Sequence, residues 1–171
     1  METSINQELK KYTKTPFVTP EELLNHWQGH RRVTRKIIDA FPEDKLFSYS
    51  LGGMRPFSEL AMETIGMADP GLTGVVTRKW EAPSHLRNIE MPTTKADLLR
   101  RWDEVTDYIN ANWPLIPEGR FQEVDRAFGQ WEGAISWIIL YFVDNEIHHR
   151  GQGYVYLRSL GIEPPPFWDR E

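Results

Sequence analysis

Apolar side chains recur along most of this chain at alternating steps of three and four residues, the period of one face of an α-helix and not the alternation of a strand. Leu23, Trp27, His30, Thr34, Ile37 and Phe41 form the first such stripe. Its start is marked by Thr19-Pro20-Glu21-Glu22, where Thr19 can cap, Pro20 suits the first helical position and Glu22 completes a capping box. Phe41-Pro42 ends it, because the residue before a proline is disfavoured in helical conformation. His30 therefore faces inward.

A second segment opens at Pro56-Phe57-Ser58-Glu59, after a turn-rich loop from Pro42 through Gly52-Gly53. Phe57, Leu60, Thr64, Met67 and Ala68 are its expected buried face, and Glu63 sits at the edge of that stripe. Asp69-Pro70-Gly71 either kinks or stops this helix, with Leu72 to Trp80 as its continuation in the first case. The stretch from Glu81 to Pro92 reads as a connection. Thr94 caps a third helix, whose stripe is Leu98, Trp102, Val105, Ile109 and Trp113. After Pro117-Glu118-Gly119, a short helical turn or lid is expected between Phe121 and Gln130.

The fourth segment runs from near Trp131 to Leu160, with Gly161 as its stop and Pro164-Pro165-Pro166 beyond. Ile138, Phe142, Asn145, His149, Gln152, Tyr156 and Leu160 share one face, which turns from apolar to polar along its length. A polar stretch on a buried face suggests a site. Four helical segments and no convincing strand predict an all-α four-helix bundle, read as one domain over residues 1–171, with an N-terminal extension over 1–18 and a C-terminal tail over 161–171.

Composition narrows the chemistry. With no cysteine, thiolate metal sites, disulfides and a cysteine nucleophile are excluded, so any metal is held by nitrogen and oxygen. A net charge of −5 gives no general attraction to nucleic acid, and the basic cluster His30-Arg31-Arg32 is short and offset by nearby acids. No run reaches the roughly 18 apolar residues of a membrane span. The expectation is a cytoplasmic protein that binds neither nucleic acid nor membrane.

Asn145 and His149 are four apart, so their side chains project together. They lie in Asn145-Glu146-Ile147-His148-His149-Arg150-Gly151-Gln152, followed by Tyr156-Leu157-Arg158, Gly161 and Pro164-Pro165-Pro166-Phe167. This run resembles the terminal helix and tail of the DinB/YfiT-like family, closely over 144–167 and loosely over most of the chain. The resemblance implies a bundle, often dimeric, with a divalent-metal site built from one histidine of the second helix and two, four apart, of the fourth. Carried over by position, the ligands are His149, Asn145 in place of a histidine, and Glu63 in place of the second-helix histidine. That set is still all nitrogen and oxygen. It tilts the expected ion towards manganese or magnesium over zinc, with nickel also allowed, and it equally allows a site that has lost its metal.

Other candidates stand behind these. His30, four after His26, is a further nitrogen on the inward face, or else a hydrogen-bonded core histidine. His148 points about 100 degrees away from His149 and reads as a surface group. Glu63 is either a ligand, a general base, or a carboxylate paired with Arg55 or Arg150. Trp131, Trp137, Tyr141, Tyr154, Tyr156, Phe167 and Trp168 read as core and tail packing, with Tyr154 or Trp131 as alternative pocket walls. Arg150, Gln152 and Arg158 read as an anchor for the tail or a dimer contact.

The resemblance implies two functions of different class. One is a metal-dependent transferase or hydrolase acting on a small molecule with a low-molecular-weight thiol or water. The other is a non-catalytic, homodimeric, stress-associated bundle with a degenerate metal site. The family's name refers to induction by DNA damage, not to binding DNA.

Overall fold

The computed structural model describes residues 17–80 and 90–171. Four long helices form the bundle: α1 (Pro20–Ala40), α3 (Phe57–Thr77), α4 (Lys95–Asn112) and α5 (Ile135–Ser159), with a short α2 (Glu43–Ser48) between the first two. Residues 81–89 of the connection expected over 81–92 lie outside the described residues, as do residues 1–16 of the N-terminal extension. Helix α3 packs against α4 and α5, and α1 packs against the same two.

The ends of the helices follow local chemistry. Thr19 accepts from the Glu22 amide at 3.2 Å while the Glu22 carboxylate takes the Thr19 amide at 2.8 Å, which closes the capping box. Thr94 caps α4 from the Asp97 amide. At the end of α5, Gly161 adopts φ 75°, and the amides of Ile162 and Gly161 reach back to Leu157 and Arg158, the paired bonds of a Schellman motif. Beyond it the tail is strapped down: Tyr154 donates to the Pro165 carbonyl at 2.8 Å, and Lys36 pairs with Asp169 at 2.8 Å.

The stripes read from sequence form the core. Leu23, Trp27, His30, Thr34, Ile37 and Phe41 of the first stripe are all buried, as are Leu98, Trp102, Val105, Ile109 and Trp113 of the third. In α3 the helix continues through Pro70 to Thr77. Proline leaves one helical hydrogen bond unmade, but Pro70 and Gly71 are buried, and Phe142 lies so close to Gly71 that a Cβ there would stand 2.5 Å from its ring. Packing across the bundle decides the outcome that local propensity left open.

Three expectations are corrected. The loop after Pro42 contains the six-residue helix α2. The segment 121–130 is neither a helical turn nor a lid alone: Arg120–Gln122 makes one 3₁₀ turn, and an antiparallel hairpin then pairs β1 (Val124–Ala127) with β2 (Trp131–Ala134), from Val124 opposite Ala134 to Ala127 opposite Trp131. Phe128 and Gly129 both take positive φ, 52° and 71°, to close its loop. The last helix accordingly starts at Ile135 and not near Trp131. No helix among the described residues is long and apolar enough to cross a membrane.

Candidate functional site

Glu63, Asn145 and His149 come together between α3 and α5. Glu63 lies at the rim of the buried face of α3, where its side chain keeps about a third of its surface in solvent. Opposite it, Asn145 and His149 stand one turn apart on α5. His149 Nε2 is 3.0 Å from Glu63 Oε1 and 3.4 Å from the Asn145 side-chain amide nitrogen. If Nε2 carries the proton it donates to Glu63. The Asn145 amide then satisfies it better with its oxygen turned inward, since two donors otherwise face each other. Asn145 Oδ1 and His149 Nδ1 are buried and have no hydrogen-bond partner in the structure.

The other oxygen of Glu63, Oε2, is held by Arg55 in a short charge-assisted bond. Tyr156 anchors the chain at that point by donating its hydroxyl to the Arg55 carbonyl at 2.9 Å. Burial pushes the Glu63 carboxyl upward, but the bonds from Arg55 and His149 together outweigh it, and its pKa falls below the usual 4.5. Of the two arginines read as candidate partners of Glu63, Arg55 is the one that pairs with it.

Arg150 lies elsewhere. Its Nη1 donates to the His30 carbonyl at 3.1 Å and its Nη2 to His30 Nδ1 at 2.9 Å. The remaining ring nitrogen of His30, Nε2, faces His26 Nε2 at 3.2 Å. Burial first, then the Arg150 charge, depresses the His30 pKa to about 3, so the ring is neutral at physiological pH. His30 is thus a hydrogen-bonded core histidine, apart from the Glu63 cluster. His148 is exposed, and its Nε2 meets Gln152 at 3.2 Å.

Sequence reasoning missed a second polar cluster. Glu146 and Arg31 are completely buried, with Arg31 Nη1 3.9 Å from Glu146 Oε2. Thr34 donates to Glu146 Oε1 at 2.6 Å. Arg31 donates to Thr106 at 2.7 Å and to the Trp102 carbonyl at 2.8 Å, and its guanidinium lies 4.1 Å from the Trp102 ring centre. Arg31 is therefore core, which corrects its reading as part of a charge-balanced basic cluster. The available signal was the position of Glu146, four after Phe142, at the flank of the buried stripe of α5.

The aromatic residues are corrected too. Tyr156 is fully buried, but Trp131, Trp137, Tyr141, Phe167 and Trp168 are exposed and do not pack into the core. Trp131, on β2, is 57% exposed, and its ring meets that of Phe128 edge-on at 6.2 Å.

Among the described residues, no group of three or more histidine, cysteine, aspartate or glutamate side chains is placed to hold a metal ion. The cluster offers one carboxylate, one imidazole and one amide. Its side chains can bind a cation through oxygen and nitrogen, or close on themselves as a hydrogen-bonded ion pair.

Known proteins give this arrangement its context. The sequence model of the DinB family matches residues 6–170. An uncharacterized protein of Bacillus subtilis strain 168, YjoA, is 24% identical over 151 residues, which is 87% of this chain and 96% of that protein. The solved structure of the DinB-like protein YjoA from Bacillus subtilis superposes with a TM-score of 0.69 at 18% identity, covering 88% of this chain and 99% of the other. A DinB-like protein from Bacillus cereus ATCC 10987 superposes with a TM-score of 0.64 at 19% identity, covering 85% and 95%. These likenesses agree with the helical bundle, and the match over nearly the whole sequence places the chain: it belongs to the DinB family.

Proposed function

We propose that this protein binds a divalent cation through Glu63, Asn145 and His149 and uses it in transfer or hydrolysis on a small molecule, with a thiol or water as nucleophile. The observation that carries the reading is the convergence of three side chains from two helices, with His149 Nε2 3.0 Å from Glu63 Oε1 and 3.4 Å from the Asn145 amide nitrogen. Two ligands bound at right angles to one ion at about 2.1 Å stand about 3.0 Å apart, so the Glu63 and His149 atoms are already spaced for the task. With its amide nitrogen towards His149, Asn145 leaves its buried oxygen without a hydrogen-bond partner, and that oxygen is the third donor atom available to a cation.

The donor set selects the ion. A carboxylate and an amide oxygen beside one imidazole favour manganese or magnesium over zinc. When bound, such an ion would lower the pKa of a thiol or water and polarise an electrophile.

Each side chain has its own part. Glu63 is ionised throughout the neutral range, so no proton has to leave it before it binds a cation. The same low pKa makes it a weak general base, because an effective base titrates near the working pH. Its better role is therefore ligand. Tyr156 fixes the segment that carries Arg55, so the guanidinium stays beside the carboxylate.

A second reading is supported by that guanidinium. Both oxygens of Glu63 already have partners, Arg55 on one side and His149 on the other, which is how a bundle without metal would satisfy a buried-edge carboxylate. Thermal melts with and without manganese, magnesium or zinc separate the two. Under the metal reading one of these ions raises the melting temperature of the wild type and leaves His149→Ala unchanged. No shift in either protein supports the degenerate site.

A further inference from the structure

Arg55 combines a fixed stem with an exposed head. Its backbone is pinned where Tyr156 donates to the Arg55 carbonyl at 2.9 Å, and Pro56 follows at once as the cap of α3. Its side chain keeps 49% of its surface in solvent and reaches the Glu63 carboxylate from there through Nη2. An ion pair so exposed is weak, so its partner can be exchanged without unfolding anything. The guanidinium presents five N–H donors in a planar fork, which suits a carboxylate in particular.

Charge decides when that exchange occurs. Without a cation, Glu63 and Arg55 balance each other. A divalent ion held by Glu63, Asn145 and His149 adds two positive charges, and the two uncharged ligands offset neither. Glu146, the acid next along α5, is committed to Arg31 and Thr34 within the core. The loaded site is then strongly positive, and the counter-ion of Arg55 is engaged elsewhere.

We infer that Arg55 anchors the substrate of this site: when a cation takes Glu63, the guanidinium turns to the carboxylate of an anionic small molecule. The inference rests on the cation reading above. The incoming group replaces one of the same shape, since Arg55 already holds a carboxylate in the unloaded site. The approach is open. Gly66 stands one turn after Glu63 on α3 and is exposed, and a Cβ there would meet nothing within 4 Å. Glycine is a poor helix former, and packing does not call for one at this position. An unobstructed path to Glu63 and Arg55 does.

Isothermal titration calorimetry on the full-length protein tests this in two stages. Manganese is titrated first, which tests the cation site alone. Succinate is then titrated with and without saturating manganese, and in the wild type the metal is expected to tighten succinate about tenfold. Arg55→Ala still takes up manganese but loses that gain, while Arg55→Lys keeps part of it, because the charge remains without the fork. Arg100→Ala, the same change of charge at an exposed position of α4, behaves as the wild type. Uncharged succinamide gains nothing from manganese. The inference is overturned if manganese binds and yet succinate binds no tighter with it, or if Arg55→Ala keeps the full gain. Phosphate gaining more than succinate overturns the carboxylate assignment. A wild type that takes up no manganese fails at the first stage, which removes the cation reading and this inference with it.

Discussion

His149 Nε2 lies 3.0 Å from Glu63 Oε1, so one carboxylate oxygen bridges two helices while its other oxygen is held by Arg55. A carboxylate shared between an imidazole and a guanidinium has a settled charge. Any cation that binds it meets Arg55 as a competitor for the same negative group.

That competition gives the first prediction. Arg55→Ala is expected to raise the affinity for manganese several-fold, on the order of 1 kcal/mol for a partly exposed pair, as read by isothermal titration calorimetry. An unchanged or weaker affinity would mean that Arg55 does not oppose the cation.

The low pKa of Glu63 predicts a pH signature. Unfolded, the group titrates near 4.5; folded, it titrates lower. Its stabilising effect is therefore complete above about pH 4.5 and is lost as the pH falls through the folded value. Urea unfolding of wild type and Glu63→Gln without metal should show a stability gap at pH 6 that narrows below 4.5. A gap that widens on acidification contradicts the assignment.

Glu146 and Arg31 make the third case. Burial raises the Glu146 carboxyl and lowers the Arg31 guanidinium to about 10, so each charge is tolerated chiefly because of the other. Glu146→Leu alone, which strands Arg31, is expected to cost about 3–5 kcal/mol. Arg31→Met/Glu146→Leu should cost clearly less than the two single changes added. Strict additivity in chemical denaturation would mean that the pair is not coupled.

Gly153 separates packing from propensity. Alanine favours helix, yet a Cβ at Gly153 would stand 2.6 Å from the Phe57 ring and 3.0 Å from Ile37. Gly153→Ala is therefore expected to destabilise by about 1–3 kcal/mol through overpacking. A rise in melting temperature would show that the contact relaxes.

The long helices were legible because burial imposes a period that survives in sequence, and because Thr19, Thr94 and Gly161 mark helix ends with side-chain or backbone chemistry of their own. The six residues of α2 and the four-residue strands of the hairpin are too short to display a period. The course of α3 through Pro70 depended on Phe142, a contact between distant parts of the chain. Glu63, Asn145 and His149 were identified from helical spacing and a resemblance, and the structure brings them together. Arg31 and Glu146 were not, because residue type favours the surface for both and only their pairing across α1 and α5 holds them inside. The exposed aromatics of α5 fit a helical stripe equally well; the sequence pattern cannot say which face of an all-round apolar helix turns inward.

The most direct test of the proposed cation site is the metal content of freshly purified protein by plasma mass spectrometry, with wild type and His149→Ala prepared side by side. The account predicts manganese or another divalent ion in substantial proportion to the wild-type chain, recovered on soaking if lost, and little in the variant. No ion in the wild type, even after soaking, would contradict it and leave Arg55, Glu63 and His149 as a structural ion pair.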